Sequence, residues 1–113
     1  MERLNEAEYE ARAQPELLAL RDALDALDVE GVEAELEGGI LTLEFVDDAR
    51  YVVNSHRAAR QIWMAAERRA WHFDWDAERQ GWVAARSGDE LWSTLEQVLT
   101  ARLNQSIRLR RPG

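Results

Sequence analysis

The chain has 113 residues, 46% of them apolar, no Cys and a net charge of −8 at neutral pH. That length makes one domain, spanning 1–113, which buries roughly 65% of its unfolded surface, and the missing Cys excludes disulfides, thiolate metal sites and Cys nucleophiles. No apolar run approaches the ~18 residues of a membrane span, and the acidic start MERLNEAEYEA is unlike a signal peptide, so a cytoplasmic protein that avoids membranes is expected.

The charge is divided. Residues 1–49 carry 15 acids and 3 Arg, a balance of −12; residues 50–113 carry 7 acids and 11 Arg, a balance of +4. A molecule whose first half repels phosphate argues against nucleic acid as partner, and a cation or a basic protein surface fits better.

In chain order, the first element is helical. Leu17, Leu20, Leu24 and Leu27 recur at three- and four-residue steps and form one apolar stripe. Asn5 with Glu8 is a capping box that starts the helix early, whereas Pro15 removes a backbone donor. The spacing predicts a helix from about 5 to 27 with a disturbance at Pro15; the other reading starts the main segment there, with Pro at its first position. The stretch RDALDALDVEGVEAELEGG then carries seven carboxylates and no cation after Arg21. Between Asp22 and Ala49 there are ten acids and no Lys or Arg.

Within that run, VEAELE alternates Val32, Ala34 and Leu36 with Glu33, Glu35 and Glu37, the pattern of a half-buried strand and not of a disordered acidic tail. Gly38-Gly39 makes a hairpin turn into ILTLEFV, and Asp47-Asp48 turns again into RYVVN. Further strands are predicted at Gln61–Ala65, Trp71–Asp76 and Trp82–Ala85. Ser87 with Glu90 reads as a second capping box, leading a helix with Leu91, Leu95, Val98, Leu99 and Leu103 on one face. Two amphipathic helices and one antiparallel sheet bury their apolar faces only against each other. The expected fold is α+β: a two-layer sandwich, with both helices on one face of a six-stranded, mostly antiparallel sheet.

The order helix, sheet, helix, with EGGILTLEF after an acidic first helix and then NSHRAARQIWMA, WHFDW and GWVAARSGDELWSTLEQVL, resembles the frataxin family in its bacterial CyaY branch. The likeness runs from roughly 5 to 105, and is most specific at Asn54…Gln61-Ile62-Trp63 and at Trp82…Ser87-Gly88…Leu91. The family often carries Gln and Pro between that Asn and the Gln-Ile-Trp, where this chain has Ser55-His56-Arg57-Ala58-Ala59. The resemblance implies an iron-binding protein of iron–sulfur cluster assembly that docks as a monomer on cysteine desulfurase and scaffold proteins. On that reading it works as a regulator, an iron supplier or both.

The residues say how. Asp22 and Asp25 share a helix face, Glu33 and Glu35 lie ~6.6 Å apart on one side of a strand, and Asp28 and Glu30 bridge the two elements. Carboxylate oxygens are hard ligands that suit Fe2+ or Fe3+ and distinguish poorly between these and other divalent cations, so weak, exposed, multiple sites are expected. The alternative is a merely solvated face. On the sheet, Ile62 and Met64 are predicted to face the helices and Trp63 the open side. There Asn54, Arg57, Arg60, Gln61 and Trp63 have the composition of a protein-binding hot spot; a reversed register would instead bury Trp63. His72 with Asp74 and Asp76 suits either a minor metal site or ordinary exposed polar residues, and His56 sits in a loop. Neither a phosphate-binding loop nor a nucleophile–base pair is visible, so no catalytic residue and no enzyme is expected. Two other readings stay open: an acidic adaptor that recognises a basic partner without metal, and an iron-oxidising or iron-storing enzyme.

Overall fold

A computed structural model describes residues 4–27 and 29–111; the predicted bridging residue Asp28 lies outside them. Helix α1 (Glu6–Asp25) starts at the predicted capping box: Glu8 N–H donates to the Asn5 side chain (2.8 Å), and Asn5 N–H donates to Glu8 Oε1 (2.9 Å). It runs without interruption through Pro15, which is not its first residue, and ends two residues earlier than predicted. Pro15 lies on the exposed side, where solvent can take the place of the N–H that the Ala11 carbonyl lacks.

Six strands follow: β1 (Val32–Glu37), β2 (Ile40–Phe45), β3 (Arg50–His56), β4 (Gln61–Ala66), β5 (Arg69–Asp76) and β6 (Gly81–Ala84). They form one antiparallel sheet in chain order, as short connections dictate. Gly38 and Gly39 both have positive φ (59° and 81°), which a two-residue hairpin loop with strand-matching twist requires. Between β3 and β4, Arg57–Ala59 form a single 3-10 turn that Arg60 closes in the left-handed region (φ 53°).

Helix α2 (Leu91–Leu103) corrects the second capping box. Ser87 instead bonds Asp89, and Glu90 is itself the cap, its carboxylate accepting from Trp92 N–H (2.9 Å) and Ser93 N–H (3.0 Å). Leu91, Leu95 and Leu99 of α2 and Leu17, Leu20 and Leu24 of α1 meet alternate residues of the sheet. These include Leu41, Leu43, Val53, Ile62, Met64 and Phe73, all nearly or wholly buried. Tyr9 sits at the centre, edge-on to Trp82 (5.8 Å), with its hydroxyl donating to the Gln61 carbonyl (2.7 Å).

The chain does not end with α2. Residues 105–111 run back along the helix, with Ile107 and Leu109 buried and their N–H groups donating to Thr100 Oγ1 (3.1 Å) and Glu96 Oε2 (2.7 Å). Arg111 then stacks on Trp92 (4.6 Å) and pairs with the buried Glu16 of α1 (2.7 Å), which also accepts from Trp92 Nε1–H. The strap was not predicted. Because Leu109 fills the helix side of the core, Leu109→Ala is expected to lower unfolding free energy by about 2 kcal/mol, read by urea denaturation.

At the other end of α2, Arg102 ties Asp47 of the β2–β3 turn and Glu67 of the β4–β5 turn together, over the Phe45 ring (4.9 Å). The Arg102 hydrogen bond, helped by Ala49 N–H, holds Asp47 below the ordinary aspartate value of 3.8. A carboxylate depressed in the folded state stabilises above its unfolded value, and that contribution is lost as pH falls through the folded value. Asp47→Asn should therefore be less stable than the parent above about pH 4, and the difference should vanish in more acid solution, as measured by urea midpoints across pH.

Candidate functional site

Two surfaces follow from the register. The first is the outer edge. Val32, Ala34 and Leu36 of β1 pack toward the helices, so Glu33, Glu35 and Glu37 project from the open side, all three exposed. Asp22 and Asp25 are exposed in the last turn of α1, which contains no basic residue. Peptide dipoles place roughly half a negative charge at that helix end, so both aspartates add to a potential that is already negative.

The structure brings some predicted residues together and not others. Asp25, Glu33 and Glu35 line one groove beside β1, joined by Glu44 of β2, which sequence reasoning had counted as acidic but left out of the site. Its signal was the hairpin register: Gly38-Gly39 fixes Glu44 directly opposite Glu33. Asp22 lies outside the groove and is engaged by Arg21 (2.8 Å), in a pair whose exposure makes it weak. Glu30 is exposed in the loop before β1. Among the described residues, Asp25, Glu30, Glu33, Glu35 and Glu37 make no ion pair, and no three His, Asp or Glu side chains converge on a point where one ion would sit. Such a surface attracts cations without enclosing them.

The second surface is the open face of the sheet. Trp63 lies there, half-buried, while its neighbours Ile62 and Met64 are buried on the helix side. Its ring is sandwiched between His56 (3.7 Å, 15° between planes) and His72 (4.2 Å, 12°). Trp63 Nε1–H donates to Gln61 Oε1 (2.8 Å), and Gln61 Nε2–H donates to Asp74 Oδ1 (3.0 Å). Asn54 lies opposite Trp63 on one side and His72 on the other, in one row across β3, β4 and β5. The two histidines are thus ring partners of the tryptophan. Neither was predicted in that role, because His56 ends a strand only if β3 continues past Asn54, as it does to His56.

The arginines of this predicted patch are placed differently. Arg57 turns toward α1, with its Nε–H bonded to Glu10 (2.7 Å) and Glu6 at 3.9 Å, and the Glu10 hydrogen bond raises its pKa. Arg60 is half-buried, and its Nε is enclosed without a hydrogen-bond partner.

With this geometry in view, the comparisons are specific. The frataxin-like domain family matches residues 2–105. The chain belongs to the bacterial frataxin family. It is 41% identical over 88 residues, 78% of each chain, to the iron-sulfur cluster assembly protein CyaY of Thioalkalivibrio sulfidiphilus. The frataxin of Psychromonas ingrahamii has the same fold, with a TM-score of 0.85 over 96% of this chain and 100% of that one, at 21% identity. Trimeric frataxin from Saccharomyces cerevisiae, solved in complex with ferrous iron, aligns with a TM-score of 0.56 at 25% identity, over 93% of this chain and 92% of that one. The expected frataxin fold, two helices on a six-stranded antiparallel sheet, is the observed one.

Repulsion along the outer edge is testable in this chain alone. Like charges ~6 Å apart in near-aqueous surroundings cost about 0.7 kcal/mol per pair before salt screens them. Melting temperature should rise with salt and rise further with millimolar divalent cations at equal ionic strength, because only the folded state gathers the carboxylates. The variant with Asp25, Glu33 and Glu35 changed to their amides should melt higher at low salt and lose the extra response to divalent ions.

Proposed function

We propose that this chain is an accessory protein of iron–sulfur cluster assembly in the cytoplasm, and not an enzyme. Its acidic edge holds Fe2+ or Fe3+ loosely through Asp22, Asp25, Glu30, Glu33 and Glu35, with Asp28 between them in sequence. Its open sheet face, with Asn54, Gln61 and Trp63, engages a cysteine desulfurase and its scaffold protein. The observation that carries this reading is the set of exposed carboxylates around β1, Asp25, Glu30, Glu33, Glu35 and Glu37, with which no arginine pairs among the described residues. The relative named as an iron-sulfur cluster assembly protein and the ferrous complex of yeast frataxin support it.

Exposed carboxylates without a converging cage bind hard cations weakly and release them readily, which suits a transient carrier or sensor better than a storage site. The same feature favours a second reading, an acidic adaptor that recognises a basic partner surface and holds no metal in the cell. In either case complementary charge would speed and orient encounter, while Trp63, pre-set between two imidazoles, supplies a rigid apolar anchor.

Anaerobic titration with Fe2+, with calorimetry and light scattering followed together, and desulfurase rates measured with and without iron separate the two. Under the first reading, replacing Asp22, Asp25, Glu33 and Glu35 by their amides abolishes metal binding and the iron-dependent part of the rate effect. Under the second, the parent takes up no iron and the variant loses partner binding alone. Light scattering that reports a monomer throughout fits both readings, whereas oxidation of Fe2+ above the buffer rate with growth of oligomers would point to an iron-storing enzyme.

A further inference from the structure

The sheet has two edges, and the chain treats them differently. Beyond β6, residues 85–90 fold back along the strand: Ala84 N–H donates to the Asp89 carbonyl (2.8 Å), Gly88 N–H to the Ala84 carbonyl (2.7 Å), and Glu90 pairs with Val83. That edge is covered. Beyond β1, among the described residues, no strand pairs and no backbone hydrogen bond reaches the outer side of Val32–Glu37. Alternate residues of this regular six-residue strand therefore present unpaired N–H and C=O groups, the template that strand addition uses.

The two faces of this edge differ in chemistry. On the helix side, Leu24 and Leu27 with Val32 and Ala34 give the groove an apolar floor. On the open side stand Glu33 and Glu35, with Glu37 beyond them. A strand laid against β1 would alternate in the same way, one set of side chains over the groove and the other beside the glutamates. Opposite charges across strands stabilise and like charges directly opposite destabilise. A second copy of β1 is disfavoured on that ground, because it would set glutamates against glutamates on top of the Glu33–Glu44 pair already present. The chain's own stretch with an apolar–basic alternation, Ile107 to Arg110, is committed elsewhere, with Ile107 and Leu109 buried on the helix side.

We propose that the β1 edge takes up an extended segment of a partner protein as a seventh strand. In that segment apolar residues over Leu24, Leu27, Val32 and Ala34 alternate with Arg or Lys beside Glu33, Glu35 and Glu37. The inference rests on the docking reading above and adds the mode of recognition: backbone pairing and residue alternation, not charge alone.

The test uses the full chain and three capped peptides spanning the six residues of β1: alternating Arg and Val; the same composition with Arg and Val in separate blocks; and the alternating sequence N-methylated at every second residue, which keeps its charge and removes the donors facing β1. The alternating peptide should slow hydrogen exchange of every second amide of Val32–Glu37 by at least ~10-fold. The other two peptides should bind at least ~10-fold more weakly, as should the alternating peptide to the Glu33→Gln, Glu35→Gln variant. Equal binding of all three peptides would overturn the proposal while leaving charge-driven docking intact. Absence of binding by any of them, or binding without protection of the edge amides, would also overturn it. A desulfurase rate indifferent to this protein would remove the docking reading but leave the peptide result standing.

Discussion

Six antiparallel strands bury one face against two helices, so each strand must send alternate residues to opposite sides. Both candidate surfaces derive from that constraint. On β1 it turns Val32, Ala34 and Leu36 inward and Glu33, Glu35 and Glu37 outward; on β4 it turns Ile62 and Met64 inward and Gln61 and Trp63 outward. A register slip of one residue would drive carboxylates into the core and expose the aliphatic set, at a cost far above the domain's net stability of roughly 5–15 kcal/mol. The acidic edge is thus held outward by the same packing that holds the fold together, and it persists although its charges repel.

The repulsion is compounded where it need not be. A helix C-terminus ordinarily carries Lys or Arg, yet α1 ends with Asp22 and Asp25 and no basic residue in its last turn. Glu33 faces Glu44 across the first hairpin, a pairing that a sheet built for stability alone avoids. Arg50 relieves the strain at Glu44 only in part, through an exposed contact of 3.1 Å. These local choices run against stability in one region, while the core beneath is filled by the inward residues of both helices and the sheet. Departures of that kind concentrate where a surface answers to something outside the chain.

Much of this was legible from residue spacing. The alternation VEAELE, the Gly38-Gly39 turn and the capping box at Asn5 are local rules, and each element they imply is present. The family could be read from the order of longer motifs, since no single one is specific. What escaped reading depends on contacts distant in sequence. The strap over residues 105–111 has only two buried apolar residues, too few to give a period, and its ties run to Glu96, Thr100 and Glu16. The His56–Trp63–His72 stack needs the register of three strands before any two of its rings can be seen as neighbours. Ser87 and Glu90 fit a capping-box spacing by coincidence: residues 85–90 pair with β6, so α2 begins only after Glu90.

The distribution of the arginines completes the electrostatic argument. Those that form ion pairs do so away from the middle of the acidic run: Arg57 with Glu6 and Glu10, Arg102 with Asp47 and Glu67, Arg111 with Glu16, Arg50 with Glu44 and Arg21 with Asp22. Arg12 and Arg69 lie over Trp75 and Trp71 instead. Each has a local task in joining a turn to a helix, fixing the strap or covering an aromatic ring, so none is available to swing onto Glu30, Glu33, Glu35 or Glu37 without undoing a contact. None of these seven arginines therefore reaches Glu30, Glu33, Glu35 or Glu37. Among the described residues no arginine pairs with those four glutamates, and which counter-charge from solution stays longest depends on what else the edge offers. A metal ion would find several oxygens but, among the described residues, no enclosure, whereas a basic extended chain would find the oxygens, an apolar floor and the outward N–H and C=O groups of alternate residues of β1.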